Sequence, residues 1–517
     1  MTTATAKKFD PAEYERTFDG LMERERAGSV TKPAKLGTVF ELAIQGGWIA
    51  ARVAGGGEAS NDSDSNDEGG ALGDIRAGRL YAKANREKLL YAGFRKSWLA
   101  WNGTYWEWSA KGEEVRAAKW VAGKALDHAS AKFKADPDAN RKLLAWAASL
   151  QNIKRLEAMI ELTKSEEGMT AGHMSEIDAN PWLLGVRNGV LDLKNGTLLT
   201  PDPKMLITRQ AAAEFHRGAE CPRWRAFLDS IFPDDPDTVA YIKRALGYTL
   251  TGSTTEEVMF ICFGHGANGK SVFSNVVNTI LASYAQTAPS SMLVVRGSGD
   301  TGASPETARQ CGARYLGINE TGQGDRLAEH VVKTVAGREP NAARFLYGDF
   351  FEFQPTAKAW LRTNHRPIVT GEDDGIWRRL HLIPFIRKFA EHERDPWLEQ
   401  KLMDERDGIL AWMVEGCLEW QRVGLKPSET VRRESLSYRK ESDLLGEFLE
   451  DNTIAGPDAR VEQGKLYTEW TSWNERNGTK AGSKASFSRK LNERGISASK
   501  SNGNRFYSGL VLKDGRP

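Results

Sequence analysis

Cysteine is scarce in this chain. Only Cys221, Cys262, Cys311 and Cys417 occur in 517 residues, and no two of them form a C-x-x-C pair. That argues against zinc ribbons and disulfide frameworks and fits a reducing cytoplasm. Eight histidines are scattered without H-E-x-x-H or similar ligand spacing, so ordinary surface or core roles are expected for all of them. No apolar run approaches ~18 residues, and the opening MTTATAKKFD lacks the apolar core of a signal peptide. Neither export nor a membrane span is expected. An excess of one charge sign is missing too: 71 Lys and Arg face 69 Asp and Glu, for a net charge of +2. A nucleic-acid surface would therefore have to come from local clustering. With 40% hydrophobic and 27% charged residues, the composition is that of a globular protein, and the length predicts two to four domains.

What is present is organised around Val258–Leu281, VMFICFGHGANGKSVFSNVVNTIL. The apolar run Val258–Phe263 has the length of a buried strand. It breaks into Gly264, His265, Gly266, Ala267, Asn268, Gly269, Lys270 and Ser271, then resumes from Val272 with apolar residues at helical spacing. Strand, glycine-rich turn and helix supply the context that the G-x-x-x-x-G-K-S spacing of a P-loop needs. Glycines let successive backbone N–H groups point inward, and the new helix adds the positive end of its dipole. The pattern predicts a bound triphosphate. Lys270 would neutralise the β and γ phosphates, and the Ser271 hydroxyl would hold Mg²⁺.

Ahead of this stretch, residues 1–54 read as a small helical piece. Residues 55–70, GGGEASNDSDSNDEGG, hold almost no apolar side chain, too little to offset the entropy of ordering, and read as a disordered linker. Between Leu80 and Trp108 aromatics are dense. Asn102-Gly103 between two aromatic runs predicts a hairpin whose rings build a small core, with base stacking as the alternative. Helices are expected from Glu113 to Ser165, a turn–strand–turn at Val186–Gly196, and a helical stretch from Pro222 to Leu250.

Beyond the P-loop, Arg314–Glu320 reads as a second buried strand. Its C-terminal acid, Glu320, would face the phosphates, as ligands do in open α/β sheets, and polarise the attacking water. A third strand, Ala357–Arg362, leads to Thr363-Asn364, whose amide would orient water against the γ-phosphate. Fourteen residues later Arg378-Arg379 offers an arginine finger, and spacing leaves open which of the two it is. Lys333, Arg338 and Arg344 give the intervening segment a basic character, with Tyr347 near a Gly-Asp turn available for stacking on nucleic acid. The tail has helices with aromatic stripes and closing strands. From Ala481 onward it carries eight basic residues against two acidic ones. Lys484, Arg489, Lys490 and Arg505 stand among the basic ones as a DNA footprint.

Taken in order, these segments resemble the helicase part of the phage and plasmid primase-helicases, members of helicase superfamily 3 related to the poxvirus primase-helicase. The matching pieces are Cys221-Pro222-x-Trp224 with Phe227-Leu228, Leu246–Gly252, the P-loop, Lys333 with Gly337, Ala343-Arg344, Phe353-x-Pro355-Thr356, Thr363-Asn364 with Pro367, and Ile376–Leu380 followed by Ile383-Pro384-Phe385. Upstream, Trp98-x-x-Trp101-Asn102-Gly103-x-x-Trp106 and Asn188–Leu193 look like the domain preceding the helicase in this family. Two positions depart from its pattern. Asn319-Glu320 stands where the family often has an acidic pair or Ser-Glu, and Gly337-Arg338-Glu339 where Gly-Gly-Asp is usual.

The resemblance implies an α/β fold. It comprises an AAA+ type P-loop ATPase core over 216–430, a helical or mixed accessory domain over 71–215, and a winged-helix-like domain over 431–517. It implies ATP and Mg²⁺ bound between the subunits of a ring, a hexamer in this family, and 3′ to 5′ travel on single-stranded or forked DNA in phage, prophage or plasmid replication. Lys270, Ser271, Glu320 and Asn364 would come from one subunit and Arg378 or Arg379 from the next. The first 80 residues are too short and free of cysteine for a primer-synthesising site, so no primer synthesis is expected of this chain, and a separate primase or other replication protein is a candidate partner. An origin-binding initiator or scaffold, or a defence ATPase built on the same motor, remain the competing readings.

Overall fold

The computed structural model describes residues 71–293, 305–319, 327–344, 350–369, 374–477, 481–501 and 504–513. The expected N-terminal helical piece, the linker at 55–70, Glu320 and Tyr347 lie outside the described residues. The described residues divide into two compact units, one holding 71–192 together with 198–210, the other holding 193–197 and the described residues from 211 onward.

In the first unit, helix Asp74–Asn85 is followed by β1 (Leu89–Ala92), β2 (Ser97–Trp101) and β3 (Trp106–Trp108), with β4 (Thr170–Ala171) completing a sheet of order β3-β2-β1-β4. The expected hairpin forms: β2 and β3 pair antiparallel. The Asn102 carboxamide oxygen accepts from the backbone N–H of Thr104 at 2.9 Å and of Tyr105 at 3.0 Å, and Gly103 sits at φ 101°. An Asx turn of this kind closes the connection locally. Trp98 and Trp106 are buried, while Trp101 and Trp108 pack partly buried against Leu99 and Trp106. Core building is thus where most of this aromatic surface goes. Helices Glu113–Ala135, Pro137–Ser149 and Ile153–Thr163 bury Val121, Trp146 and Met159 against Tyr81. A three-stranded sheet comes next, β5 (Leu183–Val186), β6 (Gly189–Asp192) and β7 (Thr197–Leu199), with the Arg187-Asn188 turn joining β5 to β6.

In the second unit the expected helical stretch Pro222–Leu250 is two helices, Pro222–Ile231 and Pro236–Leu250. Pro233 and Pro236 cannot continue a helix ladder, and the Asp235 side chain caps the second helix by accepting from Thr238 N at 3.0 Å. The sheet that follows contains β8 (Met259–Phe263), β9 (Ala285–Pro289), β10 (Tyr315–Asn319), β13 (Lys358–Thr363) and β14 (Leu380–Pro384), in the order β14-β8-β13-β10-β9. Every neighbouring pair is parallel. Parallel pairing puts the starts of all five strands on one edge of the sheet and their ends on the other. Between β10 and β13, β11 (Asn341–Arg344) pairs antiparallel with β12 (Phe350–Phe353), the two legs of the expected hairpin.

Helix Arg406–Val423 crosses helix Pro236–Leu250 closely enough that a Cβ on Gly247 would lie 2.0 Å from the Cys417 nitrogen, and one on Gly416 2.1 Å from the Lys243 carbonyl oxygen. Helix Glu429–Glu441 is fixed to the segment after β13 by the Tyr438 hydroxyl, which donates to the Pro367 carbonyl, and by Arg366, which reaches Glu434 at 2.8 Å and Glu441 at 2.7 Å. The tail is a small α/β cluster in which β15 (Thr453–Glu462), β16 (Ala498–Ser501) and β17 (Asn504–Leu512) form a sheet of order β15-β17-β16. Helices Leu444–Asn452, Gln463–Arg476 and Lys484–Glu493 pack Phe448, Trp470, Trp473 and Phe487 against Tyr507.

Candidate functional site

The glycine-rich turn leaves the C-terminal edge of the parallel sheet at Phe263 and enters helix Lys270–Leu281. Its path is set by close backbone approach. Gly264 N donates to Thr363 O at 3.3 Å, and a Cβ on Gly264 would lie 2.1 Å from Phe385 O. Gly269 adopts φ 85°, and its Cβ would press on Ile231 at 2.9 Å. Both positions require glycine. Asn268 is buried and its amide donates to Phe385 O at 2.8 Å, while Phe389 N donates to Ala267 O at 2.8 Å. The segment after β14 thus braces the loop from the side. His265, Gly266 and Ala267 stay exposed, as does Ser271 in the first turn of the helix, with Val272 half-buried behind it.

Lys270 is buried at the mouth of the turn. Its ammonium donates to Gly264 O, to Asn268 Oδ1 at 3.0 Å and to Asn364 Oδ1 at 3.1 Å. Three residues expected to act on one nucleotide, Lys270, Ser271 and Asn364, are therefore gathered at one sheet edge, and Asn364 touches the lysine directly. A helix N-terminus, exposed loop amides, a cation and a free-facing hydroxyl form a donor set suited to phosphate oxygens and a hard cation. Neighbouring Cys262 is not a nucleophile here, because burial pushes its thiol up to about 12. Sequence reasoning missed the brace. Asn268 counts in the motif only as a spacer, and no local pattern ties it to Phe385.

Arg378 and Arg379 sit elsewhere. They precede β14 and so lie on the N-terminal edge of the sheet. A five-residue strand, roughly 16 Å at 3.3 Å per residue, separates that edge from the P-loop. Both meet Glu257, which lies just ahead of β8: Arg379 at 2.6 Å and Arg378 at 3.3 Å, on the same Oε2. Arg338, expected to contact DNA, reaches the other oxygen of Glu257 at 3.3 Å and donates to Thr255 O.

The remaining basic positions are dispersed. Lys333 is half-buried on helix Glu329–Ala336, and Arg344 is exposed at the end of β11 with its guanidinium 5.4 Å from the Phe350 ring centroid. In the tail, Lys484 and Arg489 are exposed on one helix, with Lys490 half-buried beside them, and exposed Arg505 pairs across the sheet with Lys500. No group of three or more metal-ligating side chains occurs among the described residues, and no described helix is long and apolar enough to cross a membrane.

Comparison with known proteins identifies relatives. A family profile described as "D5 N terminal like" matches residues 78–233. A protein of Acanthamoeba polyphaga mimivirus, named provisionally as a helicase, is 28% identical over 329 residues, covering 59% of this chain and 34% of the relative. A Frog virus 3 protein of similar name is 27% identical, covering 49% and 28%. An African swine fever virus protein named provisionally as a primase is 26% identical, covering 58% and 34%. The chain thus spans about a third of the length of these relatives. Among solved structures, the apo C-terminal region of NrS-1 aligns over 84% of this chain and 98% of that one, at 12% identity and a TM-score of 0.45. The chain is thus similar over residues 78–233 to the family described as "D5 N terminal like", and over more than half its length to viral proteins named for helicase or for primase activity.

Proposed function

We propose that this protein is an ATP-driven DNA helicase, an AAA+ type motor of superfamily 3 that works as a ring of identical subunits on single-stranded or forked DNA, travelling 3′ to 5′ during replication. The observation that carries the reading is the contact between Lys270 and Asn364, 94 residues apart, at the mouth of the Gly264–Ser271 turn. The strand order supports it, since the P-loop strand lies between β14 and β13 and the sheet's C-terminal edge collects the polar residues that act on phosphate.

When bound, Mg²⁺-ATP supplies the phosphoryl group and the neutralising metal. The chain's own work is positioning. Lys270 and the loop amides hold the β and γ phosphates, Ser271 offers its hydroxyl to the metal, and Asn364 orients the attacking water. Glu320 directly follows β10 in the sequence and is the sequence's candidate for activating that water. The arginines at the far edge are too distant to reach their own P-loop, which supports a site completed by the next subunit. The tail reads as a winged-helix-like DNA-binding domain. Lys500 stands directly across from Arg505, a like-charge pair that is unfavourable alone and relieved by phosphate.

The test is strand displacement from a forked duplex with ATP, run beside Lys270→Ala. The protein displaces the strand and the variant does not. ATP hydrolysis without displacement would turn the reading toward an initiator or scaffold.

A further inference from the structure

We propose that Glu257 is a positioning residue for a trans-acting arginine site, and that it makes Arg378, not Arg379, the arginine that reaches the nucleotide of a second copy of this chain. The inference rests on the reading of the protein as a ring ATPase with shared sites.

One carboxylate here holds three guanidinium groups: Arg378 and Arg379 on one oxygen, Arg338 on the other. Three positive charges meet the Glu257 carboxylate and its neighbour Glu256, which leaves the cluster net positive at a sheet edge that faces away from the chain's own P-loop. An anion brought from outside is the matching partner. Phosphate oxygens fit it, because guanidinium forks bind them in pairs.

The three arginines are not equivalent. Arg379 has a side chain only 13% exposed, also donates to Gly375 O, and keeps its Nε buried without a hydrogen-bond partner. It is locked in place. Arg378 is 67% exposed and its contact with Glu257 is long, at 3.3 Å, so its head is free to leave. Arg379 serves as the post and Arg378 as the arm.

The backbone supports a dedicated role for Glu257. It adopts φ 51°, in the left-handed region that a glutamate occupies at a conformational cost. The surrounding turn holds it there. Glu257 N donates to Thr254 O at 3.1 Å, the Trp420 indole donates to Glu256 at 2.6 Å, and the buried Lys358 ammonium donates to the carbonyls of Thr251 and, at 3.3 Å, Ser253. A bond within the turn and two separate elements, helix Arg406–Val423 and strand β13, thus fix a strained turn that aims one half-buried carboxylate at three arginines.

The experiment measures steady-state ATP turnover of full-length Glu257→Gln, alone and mixed with Lys270→Ala, beside the reference pair Arg378→Ala and Lys270→Ala. Alone, Glu257→Gln loses about ten-fold or more in kcat, with KM for ATP within about two-fold, as expected when a charge-positioning contact acts only on turnover. Mixed with Lys270→Ala it regains activity, because its intact P-loops then meet intact arginines. Glu257→Asp, which keeps the charge, retains most of the rate, and nucleotide binding by every Glu257 variant reports that the P-loop is folded.

Wild-type or raised turnover in Glu257→Gln overturns the inference. So does failure of Glu257→Gln to be rescued when Arg378→Ala is rescued, which would place the effect within its own subunit. If neither pair is rescued, the shared-site reading itself falls. Loss of single-stranded DNA affinity with DNA-free turnover intact would assign the cluster to nucleic-acid phosphates and overturn it as well.

Discussion

Asn364 illustrates how a side chain acquires a role from its address. It directly follows β13, beside the P-loop strand, and its carboxamide oxygen accepts from Lys270. Replacing it by alanine leaves ATP binding within a few-fold and lowers kcat by roughly 10²-fold, the usual cost of losing one preorganised polar contact at a reacting phosphate. Comparing steady-state kinetics with nucleotide titration checks it, and an equal loss in both would place Asn364 in binding alone. At this scale the sequence was readable where spacing carries the chemistry: Gly264 to Ser271 are defined by their intervals, and Asn364 by the end of an apolar run. Glu257 was not readable, because its partners lie 81 to 122 residues away and no local pattern marks a glutamate before a strand as a hub. The same holds for Asn268, whose bond to Phe385 spans 117 residues.

Between elements, the crossing of helices Pro236–Leu250 and Arg406–Val423 depends on absent side chains. A methyl at Gly247 would stand 2.0 Å from backbone, and backbone cannot swing aside as a flexible side chain can. Gly247→Ala is expected to cost about 3 kcal/mol, at the upper end for overpacking, read as a lower midpoint in thermal or denaturant unfolding. A midpoint equal to wild type would contradict this crossing.

Strand β14 carries a pH dependence of its own. The Tyr241 hydroxyl lies 2.6 Å from His381 Nδ1, and burial lowers the His381 pKa from 6.5 to about 4. The folded chain therefore keeps this imidazole neutral while the unfolded chain takes up a proton as pH falls below 6.5. Stability from this group is present above that pH and lost progressively toward pH 4. His381→Gln, which still offers an oxygen to Tyr241, should show a shallower fall in melting temperature between pH 6.5 and 4, and an unchanged slope would assign the acid loss to other groups. The strand–turn–helix and the hairpins were readable from apolar periodicity and turn residues. The split of Pro222–Leu250 into two helices could have been read from Pro233 and Pro236, but the long apolar stripe masked it. Strand β9, AQTAP, has too little apolar character to announce itself and forms because the parallel sheet completes it on β10.

On the scale of the whole molecule, the parallel sheet separates the cation of the P-loop from the arginine cluster, and the proposed motor would need a second copy to bring the two together. Lys270 stands at one edge and the Arg338, Arg378 and Arg379 cluster at the other. The tail adds a basic face whose Lys500 and Arg505 repel one another unless phosphate lies between them. Exchanging Lys484, Arg489 and Arg505 together for alanine should weaken single-stranded DNA binding and flatten its dependence on log salt concentration by about 2 to 3 units, while leaving DNA-free ATP turnover intact. An unchanged salt slope would remove the tail from the DNA contact. This organisation was only half legible beforehand. The motif order gave the parts, but which edge each part occupies follows from strand order, which no single segment encodes.

The most direct test is ATP turnover per subunit measured against protein concentration, for the wild type and for the Arg378→Ala, Arg379→Ala double variant, with nucleotide binding confirming that both are folded. The composite site predicts turnover that rises as subunits associate and a double variant that stays near zero at every concentration while still binding ATP. Turnover independent of concentration and equal in the two proteins would contradict it.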